Sequence, residues 1–134
     1  MKFTATLVLL VAMAASVSCG DSSGPPQPVP GALRFDLTSP NTDGALLLHL
    51  SGPAAAAASV TSANNAHHLF ARAATNGGIN VAVFGAVGTG PLLRIQVQDV
   101  SRAAEYQVTV IEAADAGNAL RTSLSGYSGQ FVKD

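Results

Sequence analysis

Beyond residue 31, apolar and polar side chains alternate singly along most of the chain. Residues 32–37 (ALRFDL) set apolar against charged groups at every second position, the period of a half-buried strand. Residues 39–44 (SPNTDG) form a dense turn cluster,. Residues 45–50 (ALLLHL) predict a second strand, and their nearly continuous apolar run reads as covered on both sides,. Gly52-Pro53 ends it. The five alanines at 54–58 favour helix by propensity, with Ser51 able to cap and Pro53 near a first-turn position,. Ser59-Val60-Thr61-Ser62 is instead β-prone. The reading is a short strand around 57–62, with a single helical turn as its rival.

Residues 67–75 and 79–84 flank Asn76-Gly77-Gly78. Strand, Asn-Gly turn and strand together predict a hairpin. Residues 85–91 (GAVGTGP) read as a loop. Residues 92–98 place Leu93, Ile95 and Val97 on one face and Arg94, Gln96 and Gln98 on the other,. A link over 99–104 leads to a strand at 106–111, a loop of small and polar residues at 113–125, and a last strand at 127–132. Seven to eight short strands separated by turn signals predict an all-β fold, a single antiparallel β-sandwich over residues 32–134. An α/β fold would need helices between the strands, and the pattern offers none. The predicted core is Phe35, Leu37, Leu46, Leu48, Leu50, Leu69, Val81, Val83, Leu93, Ile95, Val97, Tyr106, Val108 and Val110. Arg94, Gln96 and Gln98 with Gln107 and Thr109 read either as one flat polar binding surface or as an ordinary solvated sheet face.

Before residue 32 the pattern changes. Lys2 precedes an apolar run over 5–15, broken only by Thr6. That run is too short for a membrane span of about 20 residues and fits the apolar stretch of a signal peptide, residues 1–18. It ends in Ser16-Val17-Ser18-Cys19-Gly20. These residues resemble the lipobox of bacterial lipoproteins. The resemblance implies that the Cys19 thiol is acylated, becomes the new N-terminus and anchors the chain in a lipid bilayer. Gly20 in place of Asp implies the outer membrane under the sorting rule of that family. The family prefers Leu, Val or Ile where Ser16 stands. Ser16 and Ser18 also fit the small-x-small rule of ordinary signal peptidase, which would release a soluble chain with a free thiol. Residues 19–31 are then the modified cysteine and a tether, with four of the seven prolines between 25 and 30. Such a segment cannot bury enough apolar surface to fold, and at about 3.1 Å per residue it reaches roughly 30–40 Å.

Composition narrows the functional classes. Cys19 is the only cysteine, so no intramolecular disulfide can form. Charged residues are 11% of the chain and its net charge is −1, against a usual charged share of about 25%. The bases are scattered. Nucleic-acid binding requires a basic stripe, and a polybasic lipid-binding segment is equally missing.

The sequence offers little chemistry. His49, His67 and His68 are the only histidines. Adjacent strand residues face opposite ways, so His67 and His68 cannot readily share an ion, although His49 could join one of them. Zinc wants three or four converging ligands, and the expectation is no metal and no cofactor. Gly126-Tyr127-Ser128-Gly129 misses the spacing of a serine nucleophile elbow by one residue. Gly85 to Gly90 lacks the following helix that a phosphate loop needs. Asn41 with Asp43, and Asp115 with Asn118, carry oxygen ligands suited to calcium but also favour turns locally. No catalytic residue is assigned.

Residues 40–46 (PNTDGAL), 90–95 (GPLLRI) and 105–110 (EYQVTV) resemble the compact sandwiches of the cohesin and bacterial carbohydrate-binding superfamily. The resemblance implies a cohesin-like or immunoglobulin-like sandwich. The lipobox-like cysteine, the tether and the missing catalytic constellation together set the expected role: non-catalytic binding or display at the cell envelope, with a protein or glycan partner. The chain has no Trp and only Tyr106 and Tyr127, so an aromatic carbohydrate strip is not evident. Two other readings stand beside this one: a structural component pairing with another envelope protein, and a small envelope enzyme using His49 with His67 or His68.

Overall fold

The computed structural model describes residues 24–134. The predicted signal peptide at 1–18, Cys19 and the first residues of the predicted tether lie outside the described residues. Eight strands follow in chain order: β1 (Gly31–Thr38), β2 (Asp43–Ser51), β3 (Ser59–Ser62), β4 (His68–Ala73), β5 (Ile79–Val87), β6 (Gly90–Val97), β7 (Gln107–Ala114) and β8 (Ser128–Lys133). They make two four-stranded sheets, ordered β3-β6-β1-β8 and β4-β5-β2-β7. Every pairing is antiparallel. Only β4 and β5 are joined within one sheet; each other connection crosses to the opposite layer. The protein is an all-β sandwich.

Strand parity builds the core. Leu33, Phe35 and Leu37 of β1 face Leu46, Leu48 and Leu50 of β2, with Val81, Val83, Leu93 and Ile95 beside them, all at most 2% exposed. Fully burying one such side chain contributes roughly 1.5–3 kcal/mol. Leu69, Val108 and Val110 pack at the margin of the core and are only partly buried. Phe35 meets Phe131 at 5.3 Å between ring centroids, and Tyr106 meets Phe131 edge-on at 6.0 Å. The Tyr106 hydroxyl donates to the Pro53 carbonyl at 2.8 Å.

Local chemistry sets the turns. The β4–β5 hairpin closes through Gly77 and Gly78, with φ of 88° and 77°. A Cβ at Gly78 would lie 2.2 Å from the Leu50 carbonyl oxygen, so only glycine fits. Asp99 accepts from the Ser101 amide and hydroxyl at 3.0 and 2.6 Å and opens a 3-10 turn at Val100–Glu105. The alanine run divides between its two readings: a 3-10 turn at Ala55–Ala57, then β3.

Three expectations are corrected. β2 is not covered on both sides: Ala45, Leu47 and His49 are half-exposed on its outer face. The loop at 85–91 shrinks to Gly88-Thr89, because β5 runs to Val87 and β6 starts at Gly90. Gly31 already belongs to β1, and Val29 is tied to the domain, donating to Asp99 Oδ1 at 3.3 Å and accepting from the Val100 amide at 2.8 Å.

The segment between β7 and β8 is held by one buried carboxylate. Asp43 is 1% exposed. It accepts from Arg121 Nε at 2.8 Å and from the Tyr127 hydroxyl at 2.5 Å. Both oxygens thus have donors, which is the condition for burying a charge.

Candidate functional site

Each sheet has an outward face, and the registers place its residues row by row. On the first sheet the outward positions carry Arg94, Arg34, Asp36 and Gln130. Arg34 grips Asp36 with Nε–Oδ1 at 2.8 Å and Nη2–Oδ2 at 3.0 Å. Asp134 pairs with both Arg94 and Arg34. The hydrogen bond from Arg34 holds the Asp36 carboxyl below its usual range, and Asp36 in turn raises Arg34. Charge on this face is neutralised internally.

The second sheet differs. Three outward rows run across β4, β5, β2 and β7: His68–Phe84–Ala45–Ala114, Phe70–Ala82–Leu47–Glu112, and Arg72–Asn80–His49–Thr109. Phe70 is 68% and Phe84 44% exposed. Their rings meet at 6.0 Å, edge to face. Leu120, 66% exposed, is bridged to Ala114 at the rim. Two shallow troughs lie among these side chains. One of about 210 Å³ is floored by Ala45, Leu47, Ala82 and Ala114 beneath Phe84 and Leu120. The other, about 290 Å³, lies between Phe70, Leu47, Ala82 and Arg72. Apolar side chains from three strands and the β7–β8 segment thus lie side by side on the surface of a domain with few charges.

A larger concavity of about 420 Å³ sits on the first sheet, lined by Asp36, Thr38, Thr89, Ser128 and Gln130 among others. Its one carboxylate is already bonded to Arg34, and the Thr89 hydroxyl is engaged with Ser39. Its remaining polar side chains, Thr38, Ser128 and Gln130, are neutral.

The residues singled out in the sequence are scattered. Arg94 and Gln96 belong to the first sheet and Gln107 and Thr109 to the second, so they form no common polar face. Both runs alternate correctly, but β6 and β7 lie in different layers. His67 is 9% exposed, between β3 and β4; its Nε2–H donates to the Ala86 carbonyl at 3.1 Å and its Nδ1 has no partner. Gly85 makes room for this ring, since a Cβ there would lie 3.2 Å from His67 Cδ2. His49 Nδ1 lies 2.8 Å from Asn80 Oδ1 on the outer face of the second sheet, and His68 is exposed in the row of Phe84. Among the described residues no group of three or more His, Cys, Asp or Glu is placed to hold a metal ion. Asp43 is committed to Arg121 and Tyr127. Asp115 Oδ1 accepts from the amides of Gly117 and Ala119 at 2.9 and 3.0 Å, the local turn pattern. Cys19 lies outside the described residues, among which no helix is long and apolar enough to cross a membrane.

Sequence reasoning missed the apolar face itself. The signal was present: with Ile79, Val81 and Val83 inward, the same alternation sends Phe84 outward. What could not be read was that Phe70, Ala82, Leu47 and Ala45 share its side of the sheet.

No family model matches the chain, and neither a curated protein nor a solved structure matches it.

Proposed function

We propose that the chain is an exported lipoprotein that holds a non-catalytic binding or display domain at the cell envelope. Export and anchoring rest on the apolar segment at 5–15 and on Cys19 in its lipobox-like setting. Binding rests on one observation: the outer face of the second sheet exposes Phe70, Phe84, Leu47 and Leu120 together, while the first sheet's outer face is closed by its own ion pairs. The tether then stands the domain off the bilayer so that this face is accessible. A protein surface or the flat face of a sugar ring suits exposed aromatic rings of this kind. The scattered histidines give an enzyme no support.

The reading has two tests. Radiolabelled palmitate should enter the wild-type chain in a bacterial host and not Cys19→Ala; an unlabelled wild type would sink the anchor. A photo-crosslinking amino acid at position 70 should give adducts in intact cells, and the same group at position 34 should give none. Equal yields at the two positions would sink the binding face.

One feature favours assembly as a second reading. β7 is an eight-residue edge strand, and such an edge can pair with a strand of another protein.

A further inference from the structure

We infer that the outer face of the second sheet docks a second copy of this chain, the two copies related by a twofold axis lying in the interface along the strand direction. This names the occupant of the face proposed above and so rests on that reading.

The first argument is self-complementarity of size. A twofold axis along the strands, passing between β5 and β2, lays β5 of one copy over β2 of the other and β4 over β7. Each outward row then meets its own reverse. Phe84 comes to lie over Ala45 of the second copy, and Leu47 over Ala82. The trough floored by Ala45 receives the partner's Phe84, and the trough beside Ala82 receives its Leu47. In the polar row Asn80 meets His49. Phe84, Leu47 and His68 face the small Ala45, Ala82 and Ala114, Asn80 faces His49 and Arg72 faces Thr109, while Phe70 comes over Glu112 and covers only its aliphatic stem,.

The second argument is charge. Arg34, Arg94, Arg102 and Arg121 each form an ion pair, and so does Glu105. Arg72 and Glu112 form none among the described residues. Both project from the same face, at its opposite edges. The proposed axis sets each Arg72 over the other copy's Thr109, one row and about 7 Å along the strand from its Glu112, a gap two long side chains can close, twice by symmetry,. A twofold axis perpendicular to the strands would instead stack β7 on β7 and set Glu112 against Glu112, a like-charge contact that disfavours it.

Size sets the strength. Four strands about 4.8 Å apart, with three outward rows, make a face of roughly 400–500 Å². That is below the roughly 800 Å² per partner of a standard stable interface, so the dimer is weak and concentration-dependent. Anchoring in one membrane would raise the local concentration of copies.

The test uses residues 19–134 with Cys19→Ser, which removes acylation and adventitious disulfides. Sedimentation equilibrium from about 10 µM to about 1 mM should show the average mass rising from monomer toward dimer, the range where small interfaces associate. Phe84→Ser should abolish the rise with the thermal midpoint nearly unchanged, because this ring is on the surface. Arg72→Glu and Glu112→Arg should each weaken association about tenfold, and the two together should restore it to within about threefold. Arg94→Glu, on the other sheet, should change nothing.

A chain that stays monomeric to 1 mM, a dimer that survives Phe84→Ser, or a charge swap that fails to restore association would each overturn the inference. If the purified chain is monomeric while position 70 crosslinks to a different protein in cells, self-docking fails and the binding face stands.

Discussion

Arg34 and Phe84 occupy comparable places, each pointing outward from a central strand of its own sheet, and their surroundings could hardly differ more. Arg34 is locked to Asp36 and Asp134. Phe84 leans on Phe70, and each of the two rings borders a shallow trough. The inward faces of the two sheets are closely alike, both built of Leu, Ile and Val, with Phe35 and Phe131 added in the first. The contrast lies entirely in the outward half of each alternation. It teaches that parity decides which residues make the core, while the residue types at the other parity decide whether a sheet's outer face is closed by its own ion pairs or presents apolar side chains.

That comparison can be broken, beginning with the largest effect. If the inner faces are equivalent, Leu48→Ala in the second sheet and Ile95→Ala in the first should each cost about 3 kcal/mol, since both side chains are 0% exposed,. Urea unfolding measures this, and a gap between them above about 2 kcal/mol would show that one sheet dominates the core. Next is Asp43→Asn. It leaves Arg121 without its buried carboxylate and weakens the hold on Tyr127, at a cost of about 2 kcal/mol. The same substitution should quicken proteolysis within residues 115–127, which carry Leu120 to the rim of the apolar face, while leaving the first sheet's ion pairs intact.

The smallest effect sharpens the contrast by acid. Hydrogen bonds from Arg34, Ser101 and Arg102 hold Asp36, Asp99 and Glu105 below their ordinary values of 3.8, 3.8 and 4.5. A carboxyl that binds its proton less tightly in the folded chain adds stability above its unfolded value and loses it as pH falls through its folded value. The thermal midpoint should therefore decline as pH drops below 4.5, by a few degrees because these groups are exposed and screened. Arg34→Ala should flatten part of that decline, and Arg72→Ala, on the open face, should leave it unchanged. An identical acid profile for both variants would mean that the charged ladder of the first sheet adds nothing.

Much of this architecture was legible beforehand. The hairpin at Asn76-Gly77-Gly78, the inward set from Phe35 to Ile95 and the strand at 92–98 followed from alternation and turn chemistry alone. The misses have physical causes. Leu92 and Leu93 are both buried because pairing slips between Phe35 and Asp36; such a bulge adds a residue that simple parity cannot anticipate. A slip between Leu47 and Leu48 makes Ile111 the extra residue on β7, where it and Glu112 are both exposed. Asp43, a turn and calcium candidate in the linear text, becomes the first residue of β2 and a buried hub, because Arg121 and Tyr127 reach it from 78 and 84 residues away.

By itself the order of residues determined local matters: where strands alternate, where glycine must turn the chain, that no intramolecular disulfide can form, and that an apolar run precedes Cys19. Those properties depend on neighbours a few positions apart. Tertiary structure alone decided which strands share a sheet. It thereby split Arg94 and Gln96 from Gln107 and Thr109, and gathered Phe70, Phe84, Leu47 and Ala45 onto one surface with Arg72 and Glu112 at its edges. A surface is made by strands lying side by side, and lateral order arises from packing two layers over a shared core, which short-range periodicity does not encode.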